Sequence, residues 1–185
     1  MKKMSTRFIC YTAMLTALSA VANIFTIIIG GGAFAISFTY IPAFIAGAFL
    51  GPFSGFTVGI LGDLIGCLIA PKGALNPIIL ISSGLLGLIP GLVFLGGKKL
   101  NLSSKSGMYI LASISFALVY LLCITVNSYG LYLFYFAAKG NTFLAVILLR
   151  LPKQSIIICV NYIIIMSIII PVRKFLGNKN MVFGS

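Results

Sequence analysis

The chain has no histidine and, in 185 residues, a single acidic one, Asp63. Those two shortages remove most catalytic chemistry: no carboxylate pair, no Ser-His-Asp triad and no histidine-bearing metal cluster can be assembled. The four cysteines, Cys10, Cys67, Cys123 and Cys159, lie apart within apolar runs. They read as small buried thiols, not as a disulfide framework or zinc site, which need clustered ligands. No ATP-binding loop is present either. The nearest approach, Gly91 followed by Gly96-Gly97-Lys98-Lys99, lacks the lysine and hydroxyl in register. The chain is therefore expected not to be an enzyme and to need no metal or cofactor.

Charge is scarce overall, at 8% of residues, where a soluble domain carries about 25%. With 61% hydrophobic residues, the composition is that of an integral membrane protein. We expect one domain, residues 1–185, spanning a cell membrane several times. The net charge of +12 could suggest nucleic acid, but the cations flank apolar runs, as the positive-inside bias requires. Nucleic acid is not an expected partner; the lipid bilayer is.

Apolar runs and their breakers predict an all-α bundle of six transmembrane helices at roughly 8–29, 34–50, 53–70, 76–95, 107–127 and 147–171. Lys2, Lys3 and Arg7 before the first run, and Ala33-Phe34-Ala35 after it, resemble the flanks of a secretory signal. The run over 8–29 nevertheless holds 22 residues, more than a signal core of roughly 7–15, so it is expected to remain as a helix. With both termini cytoplasmic, nine of the thirteen cations fall inside: Lys2, Lys3, Arg7, Lys98, Lys99, Lys105, Arg173, Lys174 and Lys179. Lys72, Lys139, Arg150 and Lys153 then lie toward the outside, where topology does not require them.

Small residues share faces on three helices. Gly55, Gly59, Gly62 and Gly66 fall within about 60° of one another on a helical wheel. Gly84, Gly87 and Gly91 do likewise, which predicts tight crossings. On the first helix Ala13, Ala17 and Ala20 form one face, and Thr12, Thr16, Ser19 and Asn23 another. The alanine face packs either within the bundle or against another protein.

The polar residues that remain are the candidate binding groups. Arg150, Gln154, Ile157 and Asn161 lie within about 60° on one helix face, with Lys153 about 60° to one side. This stripe extends about 16 Å from the outer end inward. Arginine offers a bidentate fork to a carboxylate and lysine a point charge; alternatively, both snorkel to the interface. Pro152 is tolerable if it occupies the first turn. Asp63 either accepts hydrogen bonds from a ligand or acts structurally inside the bundle. Asn76 and Asn127 are further polar candidates. Tyr129, Tyr132, Phe134, Tyr135 and Phe136 form either an interfacial aromatic belt or a platform for a flat heterocycle.

Several stretches together resemble the substrate-binding S components of energy-coupling factor (ECF) vitamin transporters, the folate-specific members among them. These are Ile41-Pro42-Ala43 through Gly51-Pro52, Gly55-x-x-x-Gly59-x-x-Gly62-Asp63-Leu64-x-Gly66, Pro71-Lys72-Gly73-Ala74, Val126-Asn127-Ser128-Tyr129 and Arg150-Leu151-Pro152-Lys153-Gln154. Ala13-x-x-x-Ala17 matches the small-residue motif that the family presents to its partner. Tyr129, where tryptophan is frequent, and Ser128, in place of threonine, depart from the pattern. The resemblance implies a six-helix protein that captures folate from outside. It also implies docking on a transmembrane coupling subunit driven by two ABC-type ATPases. Arg150 and Lys153, with Lys72 or Lys139, would then hold the glutamate carboxylates, and Asp63, Asn127 or Gln154 the pterin edge. An S component for another vitamin, or a ligand-free membrane scaffold or channel, are the alternatives.

Overall fold

The computed structural model describes residues 6–25, 27–29, 34–71, 76–100, 104–133 and 143–177. Lys72, Lys139, Phe134, Tyr135 and Phe136 lie outside the described residues. The chain forms α1 (Thr6–Ile24), β1 (Ile27–Ile29), β2 (Phe34–Ile36), α2 (Tyr40–Ile45), α3 (Pro52–Ile69), α4 (Pro77–Lys99), α5 (Lys105–Leu131) and α6 (Phe143–Gly177). A π-helical segment, Ala46–Leu50, continues α2. α3 to α6 are long and apolar enough to cross a membrane, while the apolar stretches Phe8–Ile24 and Tyr40–Leu50 are shorter.

Three expectations need correcting. The first helix was expected to run through residue 29 and the second to begin at 34. Instead Ile27–Ile29 and Phe34–Ile36 pair as an antiparallel hairpin, with Ile28 opposite Ala35. Three successive isoleucines, stiff at χ1, favour a strand over a helix end. The last helix begins at Phe143, not near 147, which puts Pro152 in its interior instead of its first turn. There the ring removes the N–H that would otherwise serve the carbonyl of Leu148.

The two glycine faces produce close crossings, and they do so with different neighbours. A Cβ on Gly55 would run into the Gly87 carbonyl, and one on Gly87 into Gly55. Gly59 lies against the backbone of Ser83. One turn further along α3, Gly62 makes room for Ser19 and Gly66 for Asn23, both on α1. A single stripe thus seats α4 on one flank and α1 on the other. Backbones this close gain dispersion contacts that larger side chains would block. The apolar core lies between α2, α4, α5 and α6, where Phe44 stacks on Phe116 at 5.1 Å and meets Phe94 edge-on at 6.0 Å.

Capping fixes the helix ends. Asn76 accepts from the Ile78 N–H at 3.0 Å as the N-cap of α4 and donates to the Gly130 carbonyl at 2.9 Å. It ties the start of α4 to the end of α5. At the opposite end Ser104 caps α5, accepting from the Gly107 N–H, and Arg173 donates to the Met108 sulfur. Lys98, Lys99, Lys105, Arg173 and Lys174 therefore cluster at the end remote from Asn76, Asn127 and Arg150.

Candidate ligand-binding site

The inward face of α6 carries the candidate site. Gln154, Ile157 and Asn161 are buried there, continued by Ile165 and Ile169, so the polar stripe read from the sequence faces the bundle. Two side-chain bonds fasten it to the segment that opens α2. Gln154 donates through Nε2 to the Tyr40 hydroxyl at 2.8 Å. Asn161 donates through Nδ2 to the Ser37 carbonyl at 3.1 Å and to the Ile157 carbonyl at 2.9 Å.

Arg150 is partly exposed and stands one turn before Gln154 on α6. Cys123 of α5 lies 3.9 Å from Ser82 of α4. The Tyr120 hydroxyl meets that of Ser155 at 2.7 Å, and Ser113 meets Tyr162 at 2.9 Å. These two bridges set the rotation of α6 against α5. The candidate site is therefore bordered by α4, α5, α6 and the N-terminus of α2.

Four buried polar atoms on these elements have no hydrogen-bond partner among the described residues: one terminal nitrogen of Arg150, the side-chain oxygens of Asn127 and Asn161, and the Ser128 hydroxyl. Leaving a buried polar atom unpaired costs about 1–3 kcal/mol. Four together, one cationic, are costly without a polar occupant. The two other orphaned hydroxyls, Ser19 and Ser54, belong to the α1–α3 side.

The remaining predicted residues lie as follows. Lys153 is half-buried, next to Arg150 on α6. Asn76 has both ends of its amide occupied by backbone. Tyr129 is 50% exposed and meets Phe143 edge-on at 6.2 Å, as Tyr132 does at 5.7 Å. Asp63 accepts from Asn23 at 2.5 Å and from Ser83 at 2.8 Å, forming a junction of α1, α3 and α4. Ala13 and Ala17 are exposed and line an apolar groove of about 670 Å³ between α1 and α3, walled by Phe53, Leu61 and Ile65. Tyr40 and Ser37 join the candidate site without having been singled out from the sequence, and Ser128, noted there only as a departure from the family pattern, joins it too. An aromatic hydroxyl at the head of an apolar run, just after a serine and a threonine, was the available signal for Tyr40.

The fold is that of a helical membrane protein in which buried polar side chains of α5 and α6 lie near one end of the bundle. Residues 7–169 match the family described as ECF transporter, substrate-specific component, and the chain belongs to that family. It is thus the component of a membrane transporter that carries substrate specificity, in a family of transporters and not of enzymes. Its fold is similar to that in the crystal structure of FolT bound with folic acid, with a TM-score of 0.68 and 24% identity over 98% of this chain and 96% of that one. No curated protein matches it by sequence.

Proposed function

We propose that this chain is the folate-capturing subunit of an ECF-type importer in the cell membrane. It crosses the membrane with six helical segments, with both termini cytoplasmic and the α6 site opening outward. The observation that carries the reading is the set of unpartnered buried groups on α5 and α6: a cation, two amide oxygens and a hydroxyl. Folate presents complementary chemistry at its two ends. Its glutamate carboxylates suit Arg150 and Lys153, with Lys72 or Lys139, because charge-assisted bonds to carboxylate are the strong ones. Its pterin amino and ring N–H groups suit acceptors such as Asn127 and Asn161. FolT, a protein of like fold crystallised with folic acid, supports the same ligand.

Ala13 and Ala17 would receive the transmembrane coupling subunit in the α1–α3 groove, and two ABC-type ATPases would drive the assembly. No resident cofactor is needed; the bound vitamin is the cargo. Mass spectrometry of the small molecule retained through purification, followed by calorimetric titration, tests the ligand. Folate should be recovered and should bind at one site per chain. Absence of heat on titration, or a neutral vitamin stabilising the protein more than folate in a thermal-shift panel, would overturn the assignment.

A further inference from the structure

Asp63 is the only acid in the chain, and it sits within a helix long and apolar enough to cross the membrane. A carboxylate in that setting is expensive and is retained only with good partners. Both of its oxygens are engaged. Oδ1 accepts from the Asn23 amide at 2.5 Å, with the Cys67 thiol at 3.9 Å, and Oδ2 accepts from the Ser83 hydroxyl at 2.8 Å. The glycines around it clear the space for this arrangement: Gly66 lies under the Asn23 side chain and Gly59 against the backbone of Ser83.

The position of Asn23 gives the junction its consequence. It is buried and stands one residue before the end of α1, whose main packing partner is α3. The β1–β2 hairpin begins at Ile27, a few residues on, and its second strand ends at Ile36. The next residue, Ser37, is held through its carbonyl by Asn161 of α6, and Tyr40 then holds Gln154. The hairpin is thus pinned at both feet by an asparagine amide. One foot is fastened to α3 and α4 through Asp63, the other to the binding stripe itself.

We propose that Asp63 is a positioning residue of the binding site and not a ligand contact. It fixes the last turn of α1, and with it the hairpin and the Ser37–Tyr40 segment that orders Asn161 and Gln154. This builds on the folate site proposed above, but one of its readouts is independent of any ligand.

The test uses Asp63→Asn, Asn23→Asp and the double exchange in the full chain. In ligand-free protein, hydrogen exchange at Ile27–Ile29 and Phe34–Ile36 should quicken in each single variant while the core of α4 and α5 stays protected. In parent protein that binds folate, each single variant should weaken binding roughly tenfold, chiefly through faster release, the equivalent of about 1.4 kcal/mol. The exchange of the two residues re-forms the carboxylate–amide bond with donor and acceptor reversed. It should therefore restore hairpin protection and bring affinity back to within about twofold. Were Asp63 a ligand contact, the double exchange would bind as poorly as Asp63→Asn, and the proposal would fail. Exchange that quickens uniformly along the chain, or stays unchanged in Asp63→Asn, would also overturn it. If Asp63→Asn does not fold, Ser83→Ala, which removes the Oδ2 partner and a bond within α4 to the Ile79 carbonyl, gives the same hairpin-selective readout. A parent protein that binds no folate would refute the functional reading, and the hairpin exchange would still decide this one.

Discussion

Replacing Arg150 by methionine separates ligand recognition from folding, because the two should move in different directions. The side chain has a buried terminal nitrogen without a partner among the described residues. The only acid, Asp63, is engaged with Asn23 and Ser83, so removing Arg150 orphans no carboxylate. Arg150→Met keeps most of the apolar stem while deleting the charge. Ligand-free thermal stability should therefore hold or rise, since an intramembrane cation carries a cost of its own. Folate binding should weaken, because a hydrogen bond to a charged group contributes about 1.5–3 kcal/mol, or roughly 10- to 150-fold in Kd. Arg150→Lys should recover part of that loss: the charge returns without the planar fork. Calorimetric titration with folate and a thermal ramp of apo protein measure the two quantities. Folate binding within about twofold of the parent in Arg150→Met, or a large fall in apo stability, would refute the reasoning.

Three further outcomes follow from named contacts. Tyr40→Phe leaves the Gln154 amide without its 2.8 Å partner and should cost about 1–3 kcal/mol of stability, seen as a lower melting temperature without ligand. Gly87→Ala places a methyl against the Gly55 backbone, 2.7 Å from its Cα. Rigid overpacking of this kind costs about 1–3 kcal/mol, and the same change at Gly96, where a Cβ meets nothing within 4 Å, should be close to neutral in the same melt. Ala17→Leu fills the α1–α3 groove away from the site, so folate binding in detergent should be unchanged while ATP-driven uptake in reconstituted vesicles falls. Equal losses in both assays would count against the groove as the coupling surface.

Hydropathy and breakers located α3, α4 and α5 to within about four residues at each end, and α6 to within about six, because a bilayer demands sustained apolar length and every charge or glycine cluster interrupts it. The 3.6-residue period likewise placed Gln154, Ile157 and Asn161 on one face, and that face is buried. Periodicity did not reveal the hairpin between α1 and α2, whose isoleucines look alike to a hydropathy window whether helical or extended. Nor did it show that α6 begins early enough to bring Pro152 inside it.

Tertiary structure decided which groups meet. Asp63 and Asn23 are 40 positions apart and Gln154 and Tyr40 are 114, so no local pattern could pair them. The glycine face of α3 was legible as a close-packing surface, yet only packing divided it between α4 and α1. The sequence by itself determined that this is a membrane protein of long apolar helices with one acid, no histidine, and Arg150 and Lys153 on α6, because composition and period are properties of the chain. Packing alone determined that Asp63 is occupied by α1 and α4 while Arg150, Asn127, Ser128 and Asn161 keep atoms unpaired among the described residues. Hydrogen bonds are satisfied or left open only by neighbours in space.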